Sequence, residues 1–279
     1  MADCAPLKNR SFKMKILAFD VGGTKTAYAL VNSRGLLESD ITTIGTPQNS
    51  DAIANIFRQA AKQYKADGLA VATAGVVFHN KVLGKPNNLP IGYETLDFSV
   101  LTGLPTIIEN DANAAAWAEY KVGVLKNKNQ AMILTLGTGV GCGIILNGAL
   151  YYGKTGAAGE VRYPFAGYDL AKSAQQNGLN ESDCFKIYEL AHQGQTAALK
   201  AYEDWQKSIV SALTEINRLL DLEAVALSGS LSKIVNYIHI EESVNARTYR
   251  NPLKILPAKC GQSAGLVGAA LLFKEKYHG

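Results

Sequence analysis

Cysteine is scarce in this chain, and the few that occur stand apart. Cys4, Cys142, Cys184 and Cys260 make no CxxC pair, so neither a disulfide framework nor a thiolate cluster can be drawn from them, and a reducing cytoplasm is expected. Long apolar runs are missing as well. None approaches the ~18 residues that a bilayer span requires, and Met1–Lys13 lacks the apolar segment of a secretory signal. Charge of one sign is not in excess. Lys and Arg number 28 against 24 Asp and Glu, a net charge of +4 without a long basic run, which argues against nucleic-acid binding. No stretch is low in complexity, and no Pro- or Ser-rich linker divides the chain. What remains is an ordinary globular composition, 47% hydrophobic and 19% charged over 279 residues, enough for one large or two medium domains.

The chain is organised around Ile107–Tyr120, IIENDANAAAWAEY. An apolar strand (Thr106-Ile107-Ile108) turns at Glu109-Asn110-Asp111 and continues as an alanine-rich helix. Carboxylates placed between a strand end and a helix start lie where ligands of α/β proteins bind. Asn110 and Asp111 can both hydrogen-bond hydroxyls, and Asp111 can also take a proton from one. The alternative is that Asp111 serves only as the helix N-cap.

Two glycine hairpins flank this stretch. Residues 16–32 read ILAFDVGGTKTAYALVN and residues 131–147 read AMILTLGTGVGCGIILN. Without a gap, Gly22 falls on Gly137, Leu30 on Ile145 and Asn32 on Asn147, which suggests two related lobes. Glycines at such tips let backbone N–H groups approach phosphate oxygens, and Thr24 and Lys25 add donors. Asp20, at the end of the first strand, could hold Mg²⁺. Helical spacing covers Asp51–Tyr64, Phe185–Leu199, Ala201–Leu220 and Ala264–Lys274. Strands are expected at Gly68–Ala74, Ala224–Leu227 and Leu253–Leu256, and a hairpin at Val76–Val82. Asn87 and Asn88 stand in a rigid polar loop, able to contact a sugar or merely to form turns. The loop Tyr151–Glu160 is rich in Gly and Ala and ends in a carboxylate suited to vicinal hydroxyls. Ser228–Ser232 is a small-residue turn suited to a nucleotide. Residues 167–184 are polar and carry no clear pattern.

Taken together, DVGGTKT (20–26), ENDANAAAWAEY (109–120), LGTGVGCG (136–143), GAAGE (156–160), SGSLS (228–232) and AGLVGAA (264–270) resemble, in order, the motifs of the ROK family of sugar kinases. The resemblance runs from Lys15 to Leu272. It implies an α/β fold of the duplicated actin-like, ribonuclease-H-like type, a two-lobe ATPase. Its N-terminal lobe would cover 14–113, its C-terminal lobe 114–263, and a C-terminal helix (264–276) would pack back on the first lobe. It implies ATP and Mg²⁺ as cofactors and Asp111 as the general base toward a sugar 6-hydroxyl. Asn110 and Glu160 would be sugar ligands, with Gly75 and Asn87 or Asn88 in the same pocket. Gly22, Gly23, Thr24 and Lys25 would form the first phosphate loop, Gly137, Thr138 and Gly139 the second. Gly229 and Ser230 would form the adenosine turn, and Asp20 would position Mg²⁺. A homodimer in the cytoplasm, with no nucleic-acid or membrane partner, completes the expectation.

The chain departs from the family in one place. The family's GE-x-GH and cysteine cluster bind a structural zinc, whereas here Val161-Arg162-Tyr163-Pro164 follows the glutamate. Tyr163 stands in the histidine's place and no cysteine cluster follows, so no zinc site is expected. A rearranged sugar-side loop at about 161–184 is expected instead. Ala74–Val77 and the Leu104–Ile107 approach to the central stretch resemble N-acetylmannosamine kinases most, which ranks N-acetyl-D-mannosamine first, glucose second and fructose or another hexose third. A catalytically dead sugar-binding or sensor homologue is the alternative of a different class.

Overall fold

The computed structural model describes residues 14–85, 89–137, 139–162, 164–248 and 252–278. Asn87, Asn88, Thr138 and Tyr163, singled out above, lie outside the described residues.

Period-two alternation decides the first half. In β1 (Lys15–Val21) Ile16 and Ala18 face one side, while Leu17, Phe19 and Val21 face the other. β1 pairs antiparallel with β2 (Lys25–Asn32), which carries β3 (Thr42–Gly45) at its edge. After α1 (Ser50–Gln63), β4 (Gly68–Thr73) runs parallel to β1. The short hairpin β5 (Val77–Phe78) and β6 (Lys81–Val82) and the helix α2 (Phe98–Thr102) precede β7 (Thr106–Asn110), parallel to β4. The sheet order is β3-β2-β1-β4-β7.

The chain then forms α3 (Asp111–Val122) and repeats the plan. β8 (Ala131–Leu136), β9 (Val140–Leu146) and β10 (Ala149–Leu150) are the antiparallel part. α4 (Gly167–Gln176), α5 (Cys184–His192) and the long α6 (Thr196–Leu220) intervene before β11 (Ala224–Ser228). α7 (Tyr237–Asn245) leads to β12 (Lys254–Pro257), and α8 (Ala264–His278) ends the described chain. The second sheet has the order β10-β9-β8-β11-β12, the same topology as the first.

The repeat read from the sequence is therefore a structural one, with one correction. Ile16 pairs with Val31, but Ala131 pairs with Ile145. The second tip is one residue shorter, so the ungapped alignment holds along β8 and slips by one along β9. The two asparagines consequently differ in use. Asn32 Oδ1 accepts the N–H groups of Arg34 and Leu36 in a wide turn. Asn147 adopts φ 53° and, with Gly148, makes the two-residue connection to β10.

The two sheets share one helical layer. α8 sends Leu266, Ala269, Ala270 and Phe273 to the first sheet, and Ala264, Val267 and Leu271 to the second. α3 likewise gives Ala114 to one side and Ala115, Ala116 and Ala118 to the other. A helix apolar on all faces belongs between two layers, and its composition says so. The inner faces of both sheets are rich in alanine, with Ala18, Ala29, Ala70 and Ala72 beside Ile16, Val31 and Ile107 in the first, and Ala131, Ala224 and Ala226 beside Ile133 and Ile145 in the second. α1 and α2 cover the outer face of the first sheet, where Phe19 stacks on Phe57 with centroids 4.0 Å apart. α4 to α7 cover the outer face of the second around Trp205. The expected lobe boundary at 113/114 falls inside α3, in the shared layer.

Three local readings are corrected. Residues 167–184 contain α4, whose Leu170 and Ala174 are buried and whose Asp169 carboxylate accepts the Ala166 N–H at 2.9 Å. The helix expected over Phe185–Leu199 ends at His192, and α6 starts at Thr196, because Gly194 takes φ 84° between them. α7 and the edge strand β3 were not expected at all.

Candidate active site

Inner-face side chains near the carboxyl ends of the strands meet between the sheets. Asp20 near the end of β1 and Thr135 near the end of β8 are equivalent in the repeat, and both point inward. They line a small cavity of ≈ 210 Å³ together with Asp111, Ser228, Gln262 and Gly265. It adjoins an open cleft of ≈ 670 Å³, which Asp111 and Thr135 also line. Open α/β sheets bind ligands at this end of their strands.

Asp111 is not the cap of its helix. Asn110 is, accepting the N–H groups of Ala112 and Asn113 at 3.0 Å each, while its Nδ2 donates to the Gly75 carbonyl at 2.9 Å. Asp111 is thus the first helical residue. Its carboxylate accepts the N–H of Ala112 at 2.8 Å and otherwise faces the cleft. Burial pushes the Asp111 carboxyl up to about 6, against the pull of the backbone N–H of Ala112, and the Glu160 charge pushes the same way as burial. Asp20 is pushed up to about 7, by burial first and then by the charge of Asp111.

Two carboxylates share the small cavity and no basic side chain lines it. That donor set fits Mg²⁺, which takes one or two carboxylates and leaves its other positions to water and phosphate. Among the described residues no group of three or more His, Cys, Asp and Glu stands ready to enclose a metal. A further close approach shapes this corner: a Cβ on Gly265 of α8 would strike the Asp20 carboxylate.

Of the other expected site residues, Gly75, Asn110, Glu160, Gly137, Gly139, Gly229 and Ser230 all line the cleft. Gly22, Gly23, Thr24 and Lys25 do not. They form the β1–β2 tip, closed by the Gly22 N–H to Lys25 carbonyl bond at 3.0 Å, with Thr24 and Lys25 exposed. The second tip is tied to α4 by the bond from the Gly167 N–H to the Gly137 carbonyl, 2.8 Å. Residues 164–184 therefore support a wall of the cleft through α4. The segment is held by Phe165, fully buried, by Trp205 Nε1 donating to the Pro164 carbonyl at 3.0 Å, and by the Cys184 thiol donating to the Gly167 carbonyl.

Sequence reasoning missed several residues here. Thr135 could have been found from its alignment with Asp20. Arg162 lines the cleft beside Glu160. Tyr168 and Phe185 line an adjoining cavity of ≈ 390 Å³ that also touches Gly137 and Ser230. Glu109 and Asn113 are buried behind Asn110, and Tyr152 reaches Glu109 from the far loop. No sequence spacing signals that last contact.

A profile of the ROK family matches residues 16–162 and 164–276. An N-acetylmannosamine kinase of Yersinia pestis (strain Pestoides F) is 32% identical, over 92% of this chain and 97% of its own length. A bifunctional enzyme NanE/NanK of Brucella melitensis is 27% identical over 91% of this chain, which spans 53% of that longer protein. A ROK family glucokinase of Streptomyces griseus, solved with glucose and AMPPNP, superposes with a TM-score of 0.74 at 26% identity, covering 94% of this chain and 99% of its own.

Proposed function

The chain belongs to the ROK family, and from that premise we propose that it is an ATP-dependent sugar kinase whose acceptor is N-acetyl-D-mannosamine, phosphorylated at the 6-hydroxyl. One observation carries the chemistry. Asp111 is relieved of capping by Asn110 and turns a carboxylate with a raised proton affinity into a cleft walled by both sheets. The acceptor identity is supported by the 32% identity to the Yersinia kinase over nearly the whole of both chains.

In this reading the sugar lies against Gly75, Asn110 and Glu160. Asp111 takes the proton of the 6-hydroxyl as its oxygen attacks the γ-phosphorus, and the β-phosphate oxygen leaves as ADP. A base whose affinity lies near neutrality suits this transfer. Nucleotide phosphates approach the glycine tips, and Gly229 and Ser230 receive the adenosine beside Tyr168 and Phe185. Asp20 would hold Mg²⁺, directly or through water, and the ion would neutralise phosphate charge when bound. Bringing the β1–β2 tip to the nucleotide requires the halves to close, which also excludes water. Cytoplasmic location and a homodimer are expectations that the family resemblance alone supports.

Glucose is the second reading, favoured by the likeness to the Streptomyces enzyme. The test is ADP release over N-acetylmannosamine, N-acetylglucosamine, glucose, mannose and fructose, with and without a zinc-selective chelator. A kcat/KM at least tenfold higher for N-acetylmannosamine is expected, unaffected by the chelator. A glucose preference moves the assignment to glucokinase, and no turnover with any sugar moves it to a binding or sensor protein.

A further inference from the structure

The two carboxylates that face the cleft reach it on separate segments. Asp111 follows β7 of the first sheet, whereas Glu160 ends the loop that leaves β10 of the second. One side-chain hydrogen bond joins those segments: Tyr152 Oη donates to Glu109 Oε2 at 2.8 Å. Glu109 is 7% exposed. Its other oxygen accepts the Asn110 N–H at 2.8 Å and Asn113 Nδ2 at 3.1 Å. The Asn110 amide is therefore held from behind by Glu109, while the Asn110 side chain caps α3 and holds the Gly75 carbonyl. Downstream of Tyr152, the loop is pressed onto both halves. A Cβ on Gly156 would strike the Val77 carbonyl, and one on Gly159 would strike the Cys142 carbonyl.

We propose that Tyr152 and Glu109 are a positioning pair, which sets the Glu160 loop against the Asp111 turn and so fixes how the acceptor sugar sits relative to the base. The proposal rests on the reading of this cleft as the sugar site. Neither residue touches substrate. Removing the Tyr152 hydroxyl leaves a buried carboxylate oxygen without that donor and frees the start of the loop, while the ring stays beside a cavity that Val77, Ile107 and Leu272 also line.

The test compares wild type, Tyr152→Phe, Glu109→Gln and the double variant, using the sugar that wild type phosphorylates best. Tyr152→Phe should lower kcat/KM for the sugar by about tenfold or more, leave the KM for ATP within about twofold, and lower the melting temperature by only a few degrees, the cost of one buried hydrogen bond. The double variant should be no worse than the poorer single variant, since both act on the same bond: Tyr152→Phe removes it, and Glu109→Gln replaces its charged acceptor with a neutral amide. Amide hydrogen exchange of residues 153–160 should quicken in both single variants, while that of α6 stays unchanged. Unaltered sugar kinetics, an equal loss toward ATP, or unaltered exchange in that loop overturns the proposal. If wild type phosphorylates no sugar, the kinase reading fails, and the exchange measurement alone decides the pair. Glu109→Gln keeps the side-chain shape and serves if Tyr152→Phe does not fold.

Discussion

Asp20 and Asp111 hold their protons more tightly than solvated aspartates do, and the two shifts make separate predictions. Asp111→Ala should lower kcat by about 10²–10⁴-fold while sugar binding changes little, because the base acts mainly in the transition state. Titration calorimetry beside steady-state kinetics checks this, and a variant that keeps its turnover removes Asp111 from the role of base. With the Asp111 carboxyl at about 6, the free enzyme's kcat/KM should fall as pH drops below 6. For Asp20 the folded value of about 7 lies above the ordinary 3.8. Between those values the native state binds more protons than the unfolded chain, so this stability is present in acid and lost as pH rises through about 7. Asp20→Asn should therefore raise the melting temperature at pH 8 by several degrees, on the order of a few kcal/mol, and the gain should vanish near pH 4. Equal melting temperatures at pH 8 would show that the carboxylate is not destabilised. The positions of Asp20, Asn110, Asp111 and Glu160 were legible in the sequence because each stands at or next to the end of a strand or a small-residue loop. Which of Asn110 and Asp111 caps the helix was not legible, since either can cap and only the backbone path decides.

At the scale of elements, helix α8 shows how a few atoms set a layer. A Cβ on Gly268 would strike the Ala114 carbonyl of α3, and a backbone atom cannot swing aside as a side chain can. Gly268→Val should destabilise by about 3 kcal/mol, read by urea unfolding, whereas Gly45→Ala, on the edge strand β3 with open space around it, should cost far less. Glu119 of α3 is the second fixed point. It is fully buried and accepts the N–H groups of Val124, Lys259 and Cys260, the last two in the approach to α8. Glu119→Ala strands three donors and should lose about 2–5 kcal/mol. A loss under 1 kcal/mol would mean that water replaces the carboxylate. Strands and glycine tips were readable because alternation and turn chemistry are local. α4 escaped because only Leu170 and Ala174 are its buried apolar anchors among polar neighbours, and Trp205, in the same cluster, lies far along the chain. The shorter second tip also escaped, since strand register is decided across the hairpin and not along it.

For the whole molecule, the shared layer means that neither sheet owns its core. Removing residues 264–279 should leave only α3 between the two inner faces, so neither half should unfold cooperatively by itself. Wild type should melt in one transition by both far-UV circular dichroism and tryptophan fluorescence. Two resolved transitions would show that each sheet stands alone. The duplication was legible as a repeated hairpin, whereas the sandwiching of α3 and α8 was only hinted at by their apolar circumference.

That layer has a further effect on how the protein can change over generations. Among its larger side chains, many of its buried positions are alanine: Ala18, Ala70, Ala72, Ala114, Ala116, Ala118, Ala224, Ala226, Ala269 and Ala270. Only glycine is smaller. At these alanines nearly every random substitution thickens the seam and forces the halves apart, and the one that thins it loosens a helix or strand. The outer faces, filled with leucine, isoleucine and aromatics, can exchange volume among neighbours. Sequence drift should therefore be slow along the midline and fast on the flanks, a pattern that saturation mutagenesis of the whole chain would draw directly.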